Sequence, residues 1–556
     1  MLQIISGKFF DLEKPINKSY EYEVLYSNFY CYSPIRTQVF ELTPINSHPE
    51  KINKFLIKYE NKYEPTDEKD VLYLPSTKSV VFHIQYLMTF YFNAYFHREK
   101  SHVEKMCSTN HNPKENENIS SIHLPHIFNL KKDNFSDIEL FIEFIDKVML
   151  LERKSYNLFI KLLKAYYNAL EAFSTNYELS YMTLVYLLET LATEIKLKEL
   201  EWVDFDDNKK NQLDKIFVEL EQEKVNKIKK ILLKDSSLKL KKQFVNNLYD
   251  LTYDDFFEAG KESKGTKILK SELIHVLNNL YFTRSKYVHK LDSLEKVVLT
   301  HGYNKSNFLY DNDNPKFSIY GLSIYTKYIL NNFLNQSNLV HNEDYPWRKE
   351  LDGIITVNLA PQYWVWKYEG LKPEHLHSKF NGFIELLLVK NQVLDIKKLL
   401  LKIEKMFGQL NDDYLASALS LYILYNIYVS DDSKLSKWGS ILKKYGKKLE
   451  KCSIQYLVIS LYVSIKYSWD IKEQEKVLNT YYKNKFKQNA IRLMNIVEIQ
   501  LLSKIANQYL SMNEDDKYIE YLNKAILESG NNIAIYQYLK KMKEEKKKID
   551  LKKIKT

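Results

Sequence analysis

SDIELFIEFIDKVMLLERKSYNLFIKLLKAYYNALEAFSTN, residues 136–176, sets apolar side chains three and four positions apart along most of its length. That is the period of a helix with one buried face. Ser136 with Glu139 fits a capping box, and Asn176 fits a stop. Toward the C-terminus the same period returns in YELSYMTLVYLLETLATEIK (177–196), in TKILKSELIHVLNNLYFTRSKYVHK (266–290) and in FSIYGLSIYTKYILNNFLNQ (317–336). Four long helices within 150–336 predict a bundle. A charged stretch with shorter helices (204–264), ending in the soft loop AGKESKG (259–265), and a turn-rich break, HGYNKSNFLYDNDNP (301–315), interrupt them.

Outward in both directions the pattern changes. Residues 108–135 are polar, carry two prolines and read as a connector. Before them, SYEYEVLYSNFYCYS (19–33) and TQVFELTPI (37–45) are rich in strand formers, and SVVFHIQYLMTFYFNAYF (79–96) fits a strand running into a helix. Residues 1–135 therefore predict a mixed α+β domain with its connector, and 136–336 a helical domain. Residues 337–380, with Trp347, Trp364 and Trp366, read as a linker or docking segment. From 381 to 556 helix pairs begin near 413, 453 and 493, and that spacing predicts an α-solenoid. The last pair resembles a tetratricopeptide repeat at Leu502, Ile505, Ala506, Tyr509, Leu522, Ala525 and Gly530, with Tyr518 standing where a small residue is usual. A final helix, 533–548, is expected to cap the stack. The fold class expected is mainly α.

Composition agrees. The 556 residues include only 12 glycines and 12 prolines, too few for an all-β sandwich or a collagen-like array. Three distant cysteines build no disulfide framework, and the first residues carry no signal pattern, so a cytoplasmic protein is expected. No stretch is apolar enough to span a membrane, so no membrane partner is expected. The net charge of +10 favours a polyanionic partner weakly. Eight lysines after residue 540, and the run KNKFKQNAIR (483–492) on an expected helix, are either solvated faces or nucleic-acid contacts.

One segment carries candidate chemistry: YFTRSKYVHK (281–290), an R-x4-H pair of Arg284 and His289 with Ser285 after the arginine. Six arginines and thirteen histidines produce about 0.4 such pairs by chance when x4 to x6 are allowed, so context must carry the reading. The string Tyr281-x-x-Arg284-Ser285-x-x-Val288-His289, on the third of four long helices, resembles the signature of the Apea-like HEPN domains. AYYNALEAFSTNYELSYMTLVYLLETLAT (165–193) is similar to the first half of that domain, with Glu189 at its acidic position. The resemblance spans about 150–336. It departs at Lys290, where glycine is frequent, and in the charged insert.

The resemblance implies a central four-helix HEPN domain that pairs with a second copy, each giving its Arg and His to one composite cleft. It implies a metal-independent endoribonuclease of bacterial anti-phage defence, with RNA as substrate and no cofactor. His289 would be general acid or base, and Arg284 would bind the scissile phosphate. Ser285 and Glu189 would support them, with Tyr281, Lys286 and Lys290 beside the substrate. These residue types suit attack by a 2′-hydroxyl, which needs a proton moved near neutral pH and negative charge stabilised on phosphate. Positions i and i+5 of a helix lie about 140° apart, so either the helix ends between Arg284 and His289 or a second copy completes the site. The solenoid would take a protein trigger or partner. The competing readings are a non-catalytic HEPN and solenoid scaffold, or a nucleotide-sensing regulator.

A second set, His97, His102, Cys107 and His111, has zinc-ligand residue types, but its spacing H-x4-H-x4-C-x3-H contains no C-x2-C knuckle; scattered histidines are the alternative. Asp204, Asp206 and Asp207 read as a solvated acidic loop. No phosphate-binding glycine loop, H-E-x-x-H or G-x-S-x-G motif occurs.

Overall fold

The N-terminal sheet rests on two long antiparallel partners, β1 (Asn17–Ser27) and β4 (Asn53–Tyr63). β2 (Ile35–Arg36), β3 (Phe40–Asn46) and β5 (Phe96–His97) complete the order β2-β3-β4-β1-β5, antiparallel throughout. β4, NKFLIKYENKY, went unread as a strand because lysine and asparagine interrupt it. Its burial nonetheless alternates along most of its length, with Phe55, Ile57 and Tyr59 inward. This computed structural model describes residues 1–11, 13, 16–49, 51–64, 75–107, 135–173, 175–195, 201–202, 205, 207–233, 236–258, 268–290, 292–300, 308–311, 314–351, 354, 359–389, 393–463 and 467–555. The connector 108–134, the loop 259–265 and the break 301–307 lie outside them, as do Asp204 and Asp206.

The chain is mainly helical and divides into two compact units, Met1–Ile355 and Thr356–Thr556. In the first, α1 (Leu2–Ile5) precedes the sheet, and α2 (Thr77–Phe92) and α3 (Lys100–Cys107) flank β5. The segment 79–96 thus runs from helix into strand, the reverse of the expected order. Residues 84–90 are all buried, which removes the polar face that would show a helical period.

The opening stretch forms two helices, α4 (Phe135–Leu150) and α5 (Arg153–Phe173). The break has a cause. The carbonyl oxygens of Met149 and Leu151 accept from Gln3 Nε2 (3.0 and 2.7 Å) and Lys8 Nζ (3.1 and 2.5 Å), while Leu151 bridges to Leu339. Buried Arg153, 1% exposed, then bonds Glu350 through Nη2 and through Nε (3.1 Å). Asn176 caps the next helix, accepting from Leu179 N at 2.9 Å, instead of ending the last.

That next helix, α6 (Tyr177–Glu194), is the centre of the helical part. The charged insert supplies α7 (Asp207–Phe217), α8 (Gln222–Leu232) and α9 (Ser236–Asp250). α10 (Leu273–Lys290), the short α11 (Lys296–Thr300), the hairpin β6 (Phe308–Asp311) and β7 (Asn314–Phe317), and α12 (Ile319–Gln336) follow. α5, α9, α10 and α12 all pack on α6. One continuous core runs from Leu2 to Leu334, so the boundary expected at 135/136 crosses no gap in packing, and 337–380 is shared between the two units.

The second unit contains α13 (His375–Val389), α14 (Lys397–Met406), α15 (Asp412–Tyr428), α16 (Trp438–Tyr445), α17 (Ile454–Tyr462), α18 (Ile471–Asn484), α19 (Asn495–Ser511), α20 (Asp515–Glu528) and α21 (Ile533–Glu544). α13, α15, α17 and α19 pack in succession, each on the next. Tyr518 is buried where a small residue was expected. Its hydroxyl donates to the carbonyls of Met542 (3.1 Å) and Lys547 (2.9 Å). The last helix stops at Glu544, short of 548. Asn507 grips the backbone of Ile549, accepting from its N and donating to its O at 2.7 Å each, and so turns the chain back.

Candidate active site

Glu189 on α6 and Arg284 on α10 meet where the two helices pack. α6 is fixed at that end by α9: Gln243 Nε2 donates to the carbonyls of Thr193 (3.0 Å) and Ile195 (3.1 Å), and Asn247 Nδ2 to that of Ala192 (2.8 Å). These satisfy carbonyls that a helix end otherwise leaves orphaned. α10 is tied to the hairpin, with Asn279 Nδ2 and His275 Nε2 both on Asn314 Oδ1, at 2.7 and 2.6 Å.

Arg284 Nε lies 2.9 Å from Glu189 Oε2, with the side chains 21% and 13% exposed. The N–H is not directed at that oxygen, so Arg284 Nε is buried without a hydrogen-bond acceptor among the described residues. The guanidinium also sits over two tyrosines, Tyr186 (5.6 Å) and Tyr281 (5.9 Å), each one turn before a member of the ion pair. Burial raises both phenols above their ordinary value, so they stay neutral at physiological pH. Tyr186 was not read from sequence. Its signal is its position three residues before Glu189, which puts both on one face of α6.

α10 stays helical through Lys290, so it does not end between Arg284 and His289. The two project about 140° apart with about 7.5 Å of rise between them. Ser285 is half-buried and lies four residues before exposed His289, so that pair shares a face. Lys286 and Lys290 share the next face; Lys286 Nζ lies 4.7 Å over the ring of Phe282. Phe282 is 60% exposed and Val288 38%. One chain therefore brings together Arg284, Glu189, Tyr281 and Tyr186, and holds His289 apart from them.

The proposed zinc set is corrected. His97 and His102 do meet, with rings parallel at 4.4 Å, but the third residue beside them is Glu171 of α5, not Cys107. Cys107 closes α3 with its thiol pushed up to about 12 by burial, which keeps it protonated. His111 lies outside the described residues. The run 483–492 is also no helix face. α18 ends at Asn484, Lys485 pairs with buried Glu498 (3.0 Å), and Arg492 lies over Phe486. In the tail, Lys546 pairs with Asp515 and Lys547 with Glu545.

A Ser–His–Asp group in the second unit is arranged against nucleophilic use. His377 Nδ1 lies 2.7 Å from Ser417 Oγ and Nε2 3.3 Å from Asp413 Oδ2. Ser417 is wholly buried and the carboxylate faces solvent, the inverse of what attack on a substrate needs.

In comparisons with known proteins, no family model, no curated protein and no solved structure matches this chain.

Proposed function

We propose that the chain is a metal-independent endoribonuclease of HEPN type. It works as at least a dimer, with α5, α6, α10 and α12 as the four-helix domain and the C-terminal helices as a solenoid for a protein trigger. The observation that carries this reading is the Arg284–Glu189 ion pair, set between two tyrosines on the helix that also presents His289. An oriented guanidinium suits a phosphate oxygen. A freely exposed imidazole suits proton transfer at the ribose.

Dimerisation is part of this proposal, and the divergence of two side chains supports it. Arg284 and His289 diverge on one regular helix, and a second α10 packed beside exposed Phe282 would supply the missing partner of each. By resemblance, the role is that of a cytoplasmic, toxin-like effector of anti-phage defence held inactive until triggered.

The test is RNA cleavage by purified protein in excess chelator, wild type beside His289→Ala, with product ends mapped. Wild-type cleavage leaving 2′,3′-cyclic phosphate ends, lost in the variant, is the expected result. Equal cleavage by both would refute it.

A further inference from the structure

β5, the edge strand of the sheet, ends at His97, and α3 begins three residues later. His102, on the exposed side of α3, folds back so that its ring stacks on that of His97, 4.4 Å away and 7° from parallel. Glu171, near the end of α5, brings its carboxylate to the same point. One ligand atom from each of the three residues lies within 4.8 Å of the others. We propose that His97, His102 and Glu171 form a zinc site that pins the edge of the sheet to α5.

The chemistry of the set fits. Two imidazoles and a carboxylate are a common three-residue zinc set that leaves a fourth position for water or a further oxygen. Tetrahedral bonds of about 2.0–2.1 Å place ligand atoms about 3.4 Å apart. The three atoms need to close by at most about 1.4 Å, and His102 must also turn out of its stack on His97, because the lone pairs of two parallel rings do not meet at one ion; its exposed side chain allows that turn. The carboxylate of Glu99 stands 3.6 Å from His102 Nε2, within reach of the fourth position.

The surroundings hold the ligands in place. Tyr95, fully buried, donates its hydroxyl to Glu171 Oε1 at 2.7 Å, and its ring stacks on His97 at 6.0 Å. Tyr167, stacked on Tyr95, donates to the carbonyl of Phe96 at 3.0 Å and so fixes the residue beside the ligand. The backbone N–H of Glu99 donates to His97 Nδ1 at 3.0 Å, which orients the ring and puts its proton on Nε2; a metal at Nε2 moves that proton to Nδ1, which then faces the Glu99 carbonyl 3.4 Å away. Such outer partners orient ligands and set their tautomer. The guanidinium of Arg98, next to His97 in sequence, is taken up by Glu23 at 2.7 Å.

The test needs no enzyme activity. The full chain, stripped with chelator and desalted, is titrated with Zn2+ against a chromophoric competitor, and with Co2+ as a spectroscopic probe. One equivalent of zinc is expected. His102→Ala and Glu171→Gln are each expected to weaken it by about 30-fold or more, and His341→Ala to leave it unchanged. Melting of the wild type is expected to rise with zinc, and that of His102→Ala to stay put. No zinc uptake by the wild type at micromolar free metal would overturn the site. So would equal binding by His102→Ala, or a loss confined to Cys107→Ser.

Discussion

Arg284→Ala and His289→Ala chains are expected to rescue each other. The reasoning is geometric. Because α10 is unbroken to Lys290, the two side chains leave it about 140° apart and separated by about 7.5 Å along the axis. One copy does not close both on one phosphate, whereas in the proposed dimer, packed through α10, the Arg of one copy would approach the His of the other. Each single variant is expected to lose about 10²- to 10⁴-fold in cleavage, the usual cost of a missing proton-transfer group or charge clamp. Co-expressed chains with different tags, purified on both tags in turn, yield mixed dimers alone. Each mixed dimer keeps one Arg and one His in a cleft that has two of each in the wild type. Its cleavage is therefore expected at about half the wild-type rate, far above either parent. The assay is cleavage of RNA in chelator, or host toxicity on co-expression if the purified protein is silent. Mixed dimers as inactive as their parents would refute a shared cleft. Failure to recover any doubly tagged dimer would refute the pairing itself.

Three further outcomes follow from buried polar groups. Glu350→Gln removes the charge facing Arg153, which Phe9, Tyr156 and Tyr345 surround; breaking a buried pair costs about 3–5 kcal/mol. Melting of the first unit is then expected to fall by on the order of 5–10 °C in calorimetry. Tyr518→Phe orphans the carbonyls of Met542 and Lys547, and a loss of about 1–3 kcal/mol is expected in urea titration, confined to the second unit. The hydrogen bond from His377, helped by one from Gln455, holds the Asp413 carboxyl below its ordinary 3.8. The folded state thus binds that proton less readily than the unfolded chain. The resulting stability is present above about pH 4 and is lost as pH falls through the lower folded value. Asp413→Asn is expected to flatten the acid limb of a stability–pH profile below pH 4, and an unchanged limb would show that the pair contributes nothing.

Period alone made the helices legible. α6 and α12 lie within a few residues of their sequence ranges, α10 ends at Lys290 as expected but begins at Leu273 instead of 266, and the expected pair starts near 413, 453 and 493 coincide with α15, α17 and α19. The readings that failed are those in which a distant residue decides. The break between α4 and α5 depends on Gln3 and Lys8, about 140 positions away, taking the freed carbonyls. β4 is a strand because β1 and β3 lie on either side of it, although its lysines and asparagines disguise the alternation.

The candidate sites divide in the same way. Arg284, Glu189 and His289 were legible as residue types on helices. Sequence alone determined that the chain is mainly helical, that few breakers interrupt it, and where its one R-x4-H pair stands, because those are local properties of spacing and composition. Only the tertiary structure decided that Tyr186 shares the guanidinium, that His289 stands apart from Arg284, and that Glu171 rather than Cys107 completes the histidine pair. Those facts depend on how one helix is rotated against another, and rotation is set by packing of the whole core, which no local window contains.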